Sequence, residues 1–365
     1  MKCYAVEDLQ PGMRTAKPVY SNRGQLIIEE GTVLTTALVS RLFFYGIESA
    51  FVTEQEKKAE REEQTEEQAF VPRTSYSQQV KRRPEFMDFQ IDYTKHLSAV
   101  KDSFASISNS DGQINTKELL EGTSELLNKA STTLGLLDLL HNMRQIDDSI
   151  YAHSMNVALI SRTMGEWLHF SQEDLELVTL CGILHDIGKT AFSTELLNKP
   201  GKYTDEEYAR VQQHTLLGYK ILKDLPLDVH IKRAALQHHE RGDGSGYPQG
   251  LHDEEIDPFA QIVAIADVYD AMTAARSYRA PLCPFQVIDA FEKEGLQKFH
   301  PQYILTFLKR IASSYQHNRV LLSNGKSGTI VMINPKHLTQ PMLQLDDGSI
   351  FDLTEYQDIA ITKII

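Results

Sequence analysis

The chain is poor in cysteine, in tryptophan and in positive charge. Its 365 residues include three cysteines and one tryptophan, and 37 Lys and Arg stand against 50 Asp and Glu, a formal net charge of −13. Cys3, Cys181 and Cys283 are too scattered to form a disulfide framework or a thiolate metal site. The negative balance disfavours general binding to nucleic acid or to anionic membranes, because both carry negative charge.

Long apolar runs are missing as well. No stretch approaches the roughly 20 apolar residues that a membrane-spanning helix needs. The first residues do not resemble a signal peptide, since Glu7 and Asp8 interrupt any apolar run. We therefore expect a cytoplasmic protein with no membrane segment. A small phosphate-bearing ligand is compatible with the charge, because a few cationic side chains or metal ions can reverse the sign of a local patch.

Composition and periodicity predict a mainly α protein in five segments. The small α+β module at 1–53 and the small β module at 317–365 each combine short β-like runs with turn residues. A charge-rich stretch predicts a linker at 54–90, and leucines at helical spacing predict a helical connector at 91–145. Residues 146–316 are almost entirely helical in pattern, which predicts a helical bundle.

Short local signals predict where single elements begin or turn. Ser171 with Asp174 and Thr204 with Glu207 are typical N-terminal capping pairs. The prolines placed as first-turn residues of helices are Pro258, Pro284 and Pro301. Residues 324–325 and 346–348 predict two turns of the C-terminal module.

Histidines and aspartates recur on apolar helical faces in this bundle. A single inward histidine is more often a hydrogen-bonded core residue than a ligand, and an isolated His-Asp pair says almost nothing. Here, however, five predicted helices each bring such groups to an apolar face, and burying them unpaired would cost several kcal/mol apiece. The candidate metal ligands are His153, His185, Asp186, His214, His238, His239 and Asp267.

A shared set of cations would satisfy all of these groups. Nitrogen and oxygen ligands without thiolate suit iron, manganese, zinc or similar divalent ions. Adjacent residues such as those of the pairs 185–186 and 238–239 diverge by about 100° on a helix, so they can serve two neighbouring ions with a carboxylate between them. That arrangement suits two-metal hydrolysis of a phosphate ester.

Cationic side chains and a glycine-rich loop accompany the candidate ligands. Lys189 follows His185 by four residues and could hold a phosphoryl oxygen, although a surface lysine is the alternative. Arg276 and Arg279 suit a phosphodiester ligand, and a structural salt bridge is their alternative. Three glycines lie within 242–246, shortly after the histidine pair at 238–239. They imply positive φ angles or close approach of the backbone to a neighbouring group.

Three motifs together resemble those of a known family. HDIGK at 185–189 resembles the HDxGK signature of HD-superfamily metal phosphohydrolases. HHERGDGSGYP at 238–248 matches the HHExxDGxGYP signature of the HD-GYP subfamily, and AIADVYDAMT at 264–273 looks like that subfamily's third block. The motifs follow the family's order, and the resemblance covers about 146–316. The flanking modules resemble, more weakly, those found around such domains in some bacteria.

The resemblance implies an HD-type helical bundle around a two- or three-metal centre, often of iron or manganese. It implies phosphodiesterase activity on cyclic di-GMP in bacterial second-messenger signalling, with pGpG or GMP as product. The seven candidate ligands match the family's metal ligands, with Asp186 as the bridging one. Lys189 matches the catalytic lysine, and Asp147 matches an acid that assists proton transfer. The residues predicted to bind substrate are Lys189, Asp243, Tyr247, Arg276 and Arg279.

One position departs from the family's pattern. Members with three metals carry a glutamate four residues before the first histidine, and here that position is Ser149. Since a hydroxyl is a poor replacement for a carboxylate, we predict a two-metal centre without a third ion. This prediction favours pGpG as the final product.

Three other functions are compatible with the sequence. The first is an HD phosphohydrolase that acts on another cyclic nucleotide. The second is a receptor that binds cyclic di-GMP and turns it over weakly or not at all. The third is an interaction module whose GYP loop docks a diguanylate cyclase domain, which could coexist with catalysis. A homodimer is a further expectation.

Overall fold

The structure is a computed structural model that describes most of the chain. The described residues are 2–5, 9, 13–20, 26–34, 38, 42, 49–53, 76–108, 114–130, 132–144, 146–147, 149–197, 199, 201–274 and 282–365. They fall in two compact units, Met1–Phe70 and Val71–Ile365. Among these residues no helix combines the length and the apolar character needed to cross a membrane.

The first unit is built on short antiparallel strands. The strands are β1 (Lys2–Ala5), β2 (Arg14–Thr15), β3 (Val19–Tyr20), β4 (Leu26–Ile28) and β5 (Ser49–Thr53). β5 pairs with β1 on one side and with β2 on the other, whereas β3 and β4 pair only with each other. Leu34, Leu42 and Val52 are buried in a small core of their own. The turn cluster at 21–24 predicts a turn and the apolar spacing over 35–45 predicts a helix; the turn and most of the helix lie outside the described residues.

The second unit is mainly helical, which confirms the predicted fold class. Its first helices are α1 (Tyr76–Lys81), α2 (Pro84–Ser108), α3 (Thr116–Lys129), α4 (Thr133–Met143), α5 (Ile150–Trp167), α6 (Gln172–Leu184) and α7 (Thr194–Leu197). The next are α8 (Asp205–Gln212), α9 (His214–Leu222), α10 (Val229–Gln237), α11 (Pro258–Thr273), α12 (Pro284–Ala290) and α13 (Pro301–Ser314). Short 3₁₀ turns lie at Ile187–Ala191 and Asp253–Glu255.

Helix starts follow the capping chemistry that the sequence predicted. Ser171 caps α6 by accepting a hydrogen bond from the backbone N–H of Asp174. Thr204 and Glu207 form a reciprocal capping box at the start of α8. The predicted first-turn prolines are Pro258, Pro284 and Pro301, which begin α11, α12 and α13.

Helices α5, α6 and α11 form the centre of the second unit. α5 is buried along nearly its whole length, from Ala152 to Gly165, and α11 is buried over most of its length. A Cβ atom placed on Gly182 of α6 would lie 2.6 Å from the Cα of Ala158 on α5. The two helices therefore approach closely only because position 182 has no side chain.

Residues 76–90 differ from the linker that the charge run predicted. They form α1 and the start of α2, and Val80, Phe86 and Phe89 are buried. Their apolar side chains recur at helical spacing and join the same hydrophobic core as α5 and α11. The acidic run that dominated the prediction, 54–68, lies outside the described residues.

The end of the chain folds as a small antiparallel sheet, as predicted. Its strands are β6 (Arg319–Leu322), β7 (Ser327–Asn334), β8 (His337–Leu345), β9 (Ile350–Asp352) and β10 (Ile361–Ile364). Their order is β10-β6-β7-β8-β9. Gly325 and Gly348, both at φ +83°, occupy the two predicted turns. β10, which the sequence analysis did not predict, pairs with β6 at one edge.

The contact of α5 with α6 predicts the effect of a minimal substitution. Gly182→Ala should lower the free energy of unfolding by about 1–3 kcal/mol, because the added methyl group meets backbone that cannot move aside. Urea denaturation followed by circular dichroism measures the change. Gly135→Ala in α4 is the control, since its added Cβ meets only the Thr132 hydroxyl, at 3.2 Å. Equal stability of Gly182→Ala and the unsubstituted protein would contradict the close packing.

Candidate metal centre

The carboxylate of Asp186 lies at the centre of the predicted ligand set. It is fully buried and directly follows His185 at the end of α6. Its Oδ2 is 3.5 Å from Nε2 of His153 and 3.4 Å from Nε2 of His185. Its Oδ1 is 3.4 Å from Nε2 of His214 and 3.7 Å from Nε2 of His238. One carboxylate therefore presents one oxygen to each of two pairs of imidazoles, as a bridging ligand does.

Two clusters of possible metal ligands flank this carboxylate. The ligand atoms within each cluster lie within 4.8 Å of one another, and the clusters are His153, His185 and Asp267, and His214, His238 and His239. Asp267 also reaches both, since its Oδ1 is 3.0 Å from His153 Nε2 and its Oδ2 is 3.8 Å from His239 Nδ1. All seven predicted ligands converge in one place, and the clusters could hold metal ions.

Backbone carbonyls fix the orientation of three imidazoles. The Nδ1 atoms of His185, His214 and His238 lie 2.7–2.9 Å from carbonyl oxygens three or four residues earlier in the chain. A ring that donates from Nδ1 carries its lone pair on Nε2 when it is neutral. The Nε2 atoms of all three rings consequently face Asp186 as potential ligands.

A divalent cation fits the chemistry of these donors. Nε2 of His214 and Nε2 of His238 are only 3.2 Å apart, so two lone pairs face each other unless a cation or proton lies near them. A proton is disfavoured, because burial lowers the pKa of His214 to about 4 and that of His238 still further below its usual value. Within the described part of the chain, His185 Nε2 and Asp186 Oδ1 are buried without a hydrogen-bond partner. Such orphaned polar atoms are satisfied when they ligate an ion.

Both carboxylates of the centre are ionised. Burial alone would raise the pKa of Asp186, but Lys189 and the neighbouring imidazoles hold it well below its usual range. Burial would likewise raise the pKa of Asp267, but the hydrogen bond and charge of His153 together with the neighbouring imidazoles hold it well below its usual range. The centre therefore combines anionic oxygen ligands with imidazole nitrogen ligands, the set that suits divalent transition metals.

Lys189 points into the centre, as predicted. Its Nζ is 2.5 Å from Asp186 Oδ2, and its side chain is 22% exposed, so the ammonium group lies where the centre opens to solvent. The turn Ile187–Ala191 that carries it lies directly against α9. A Cβ on Gly188 would lie 1.9 Å from the carbonyl oxygen of His214, so only glycine permits this approach.

A second carboxylate on α11 orients His153, and the sequence analysis missed it. Asp270 Oδ2 is 2.7 Å from His153 Nδ1, and its Oδ1 accepts a hydrogen bond of 2.8 Å from Asn156. Arg144 Nε lies 3.2 Å from the same carboxylate. Partners of this kind fix the ring of a ligating histidine. The available signal was the position of Asp270, three residues after Asp267 on the same helical face.

Known proteins are similar to this chain in sequence. The profile of the family described as HD domain matches residues 117–303, just over half of the chain. The chain belongs to the HD domain family. A cyclic di-GMP phosphodiesterase of Pseudomonas aeruginosa is 32% identical to it over 228 residues, which are 61% of this chain and 55% of that protein. A cyclic di-GMP phosphodiesterase of Thermotoga maritima is 34% identical over 178 residues, 48% of each chain.

Other comparisons concern related substrates and the fold. The 3′3′-cGAMP-specific phosphodiesterase 2 of Vibrio cholerae is 34% identical over 161 residues, 43% of this chain and 31% of that protein. The chain thus spans about half the length, or less, of these relatives. The solved structure of an HDG"Y"P protein from Bdellovibrio bacteriovorus superposes with a TM-score of 0.51 at 16% identity. It covers 84% of this chain and 97% of that one, and it shows the same fold.

The glycine-rich loop of the HD domain folds back on its own first residues. Glu240 is buried, and its two carboxylate oxygens accept hydrogen bonds from the backbone N–H groups of Gln249 and Leu251. A Cβ on Gly246 would lie 2.4 Å from the backbone of Glu240, so glycine is required there. The ring of Tyr247 stacks on that of His239 with centroids 4.7 Å apart. The loop therefore holds Tyr247 beside the metal centre.

Glu240 was not predicted, although it is the acidic residue of the HHE motif. Asp243, predicted to bind substrate, is exposed and accepts hydrogen bonds from the N–H and hydroxyl of Ser245. In this structure its carboxylate therefore stabilises the turn of the loop.

Three further predicted residues lie outside the cluster or outside the described residues. Asp147 precedes α5, where its Oδ1 accepts a hydrogen bond from the N–H of Ser149 and its Oδ2 is 3.9 Å from Lys101 Nζ. Its proposed role in proton transfer stays a prediction. Arg276 and Arg279 lie in 275–281, outside the described residues, and their predicted contacts with phosphate stay predictions too.

The low pKa of His214 predicts how the metal-free HD domain responds to acid. The folded pKa of about 4 lies below the ordinary value of 6.5, so between these values the unfolded chain binds more protons and stability falls as pH falls. From pH 7.5 to pH 5, His214 alone should cost roughly 2 kcal/mol. Lowered pKa values at His238 and His239 act in the same direction, whereas the raised pKa of His153 opposes them.

Urea unfolding of chelator-treated protein at the two pH values measures this loss. His214→Gln should reduce the loss, and His337→Gln, which changes an exposed histidine of β8, should leave it unchanged. A free energy of unfolding that stays constant or rises on acidification would contradict the expectation.

Proposed function

We propose that the protein is a metal-dependent phosphodiesterase that hydrolyses cyclic di-GMP. The observation that carries the proposal is the position of Asp186, which offers one oxygen to each of two ligand clusters. Two metals bridged by a carboxylate are suited to in-line cleavage of a phosphate ester. The relatives named cyclic di-GMP phosphodiesterase support this choice of substrate.

We propose that the seven residues form two ion sites, and that the ions are iron or manganese. The cluster of His153, His185 and Asp267 would hold one ion, and the cluster of His214, His238 and His239 would hold the other. Asp186 would contact both ions. When bound, the ions supply an activated water near neutral pH and positive charge for the phosphoryl oxygens. Asp270 keeps the His153 ring in place by accepting from Nδ1, which turns Nε2 towards Asp186 and Asp267.

Side chains around the ions bind and orient the substrate. The ammonium group of Lys189 is close enough to the ligands to donate to a phosphoryl oxygen, where it would stabilise developing negative charge. Tyr247 offers an aromatic ring next to His239 against which a substrate group can pack. Arg276 and Arg279 are proposed to contact the second phosphate, and Asp147 to give a proton to the leaving oxygen.

Two ions, not three, are proposed because Ser149 has another role. It is the N-cap of α5, and its hydroxyl accepts a hydrogen bond of 3.2 Å from the N–H of Ala152. At position 149, a third ion would therefore meet a hydroxyl group that already caps the helix, in place of a carboxylate. We therefore propose pGpG as the final product.

A second cyclic dinucleotide is the strongest alternative substrate. Three Vibrio cholerae relatives named 3′3′-cGAMP-specific phosphodiesterases are 34–38% identical over their matched residues. Competition between the two dinucleotides for one preparation separates these substrates. A receptor that binds cyclic di-GMP without cleaving it would show saturable binding and no product. A cytoplasmic location, a homodimer and docking of a diguanylate cyclase domain on the GYP loop are proposed on the sequence alone.

Loss of the bridging carboxylate tests the activity. An anaerobic preparation loaded with Mn²⁺ or Fe²⁺ should convert cyclic di-GMP to pGpG, as resolved by liquid chromatography. Asp186→Asn should lower metal content and reduce turnover at least a hundredfold, because both clusters lose their shared anionic ligand. Asp289→Asn, on the surface of α12, is the matched control and should keep full activity. Full turnover by Asp186→Asn would refute the assignment.

The identity of residue 149 should set the metal count and the product. Elemental analysis is expected to find two tightly held ions per chain, and pGpG should accumulate. Ser149→Glu introduces a carboxylate and should raise the count towards three, with GMP appearing as product. Ser149→Gln has the same length without the charge and should do neither. Three tightly held ions in the unsubstituted protein would show the two-metal proposal wrong.

A further inference from the structure

A second cavity lies apart from the metal centre. It is enclosed by α1, α4, the start of α12, the end of α13 and β10, and its volume is about 290 Å³. Tyr76, Leu282, Pro284 and Tyr315 supply apolar and aromatic walls. No candidate metal ligand lines it. Its size is close to the lower end of small-molecule sites, which begin at about 300 Å³.

A buried carboxylate faces this cavity with half of its hydrogen-bonding capacity unused. Asp138 of α4 is 8% exposed, and its Oδ2 accepts a hydrogen bond of 2.5 Å from the hydroxyl of Tyr76. Among the residues that the structure describes, Oδ1 has no hydrogen-bond donor and no lysine or arginine forms an ion pair with the carboxylate. Burial raises the pKa of Asp138 to about 6, so at neutral pH the group is still mostly ionised. Buried charges are normally paired. The charge of Arg83 lowers the pKa of this carboxyl, but Arg83 forms no ion pair with it within the described part of the chain.

The other polar groups of the cavity suit a positively charged guest. His141 lies one helical turn after Asp138, and burial lowers its pKa, so the imidazole is neutral and does not repel a cation. Neither of its ring nitrogens has a hydrogen-bond partner within the described part of the chain. The rings of Tyr76 and Tyr315 present π-electron density, which attracts cations. Lys363 is exposed and also lines the cavity.

We propose that this cavity binds a small molecule that carries a protonated amine on an apolar body. The ammonium group donates to Oδ1 of Asp138 and to His141, and the body packs against Tyr315, Leu282 and Pro284. A ligand that also carries a carboxylate directs it towards Lys363. This site is independent of the proposed phosphodiesterase activity, because it shares no residue with the metal centre.

One helix connects the two sites. Asp138 and His141 lie on α4, which ends at Met143. The next residue, Arg144, is 3.2 Å from the carboxylate of Asp270, which in turn orients His153. An occupant that holds α4 in position therefore acts on an element that contacts the metal centre.

Three probes that share a phenethyl group test the proposal by isothermal titration calorimetry on the full chain. Phenethylamine carries the amine alone, L-phenylalanine carries amine and carboxylate, and 3-phenylpropionate carries the carboxylate alone. We expect saturable binding of the two amines and none, or at least tenfold weaker binding, of 3-phenylpropionate. Asp138→Asn keeps an acceptor for Tyr76 but removes the charge, so it should weaken amine binding at least tenfold.

Two further variants separate loss of the site from loss of the fold. Asp224→Asn makes the same chemical change at an exposed position and should bind as the unsubstituted protein does. Leu282→Trp adds bulk from a half-exposed wall position and should abolish binding of every probe, with an unchanged circular dichroism spectrum. No saturable binding of either amine below about 10 mM, equal binding of 3-phenylpropionate, or unaltered binding by Asp138→Asn would overturn the proposal.

Discussion

Burying several imidazoles and carboxylates together in a low-dielectric core is the constraint on which the metal centre depends. Asp186 and Asp267 remain ionised there, whereas burial keeps His214, His238 and His239 neutral. Facing lone pairs and orphaned polar atoms make such a cluster unfavourable in a dry interior. Divalent ions remove this penalty and at the same time provide the means to cleave a phosphate ester.

The helical packing places the ends of three helices around this cluster, while Asp267 reaches it from the middle of α11. His185 and His238 lie at the C-terminal ends of α6 and α10, and His214 opens α9. At a helix end the next residue can leave the helical path, so adjacent residues reach different ions. Gly182 and Gly188 let the carrier elements approach until backbone meets backbone. Tight packing of this kind limits how far any ligand can move.

Groups beyond the ligands connect the centre to the rest of the second unit. Asp270 joins His153 to Arg144 and so to α4, which also lines the second cavity. Glu240 closes the glycine-rich loop and holds Tyr247 against His239. Both carboxylates lie within the recognisable motifs. Their roles depend on partners far along the chain, which spacing within one motif does not reveal.

Local chemistry in the sequence was sufficient to predict which seven imidazole and carboxylate side chains converge, the capped helix starts and the hairpins of the C-terminal sheet, because each signal depends on residues a few positions apart. Helical spacing was equally present at Val80, Phe86 and Phe89, but the neighbouring charge run masked it, and the linker was drawn too long. Only the tertiary structure decided which oxygen of Asp186 faces which cluster, that Asp270 supports His153 across more than a hundred residues, and that Asp138 is buried with Tyr76 as a hydrogen-bond donor. These features arise where elements distant in sequence pack together. The burial and charge pairing of a side chain depend on which elements surround it, and a local sequence pattern does not contain that information.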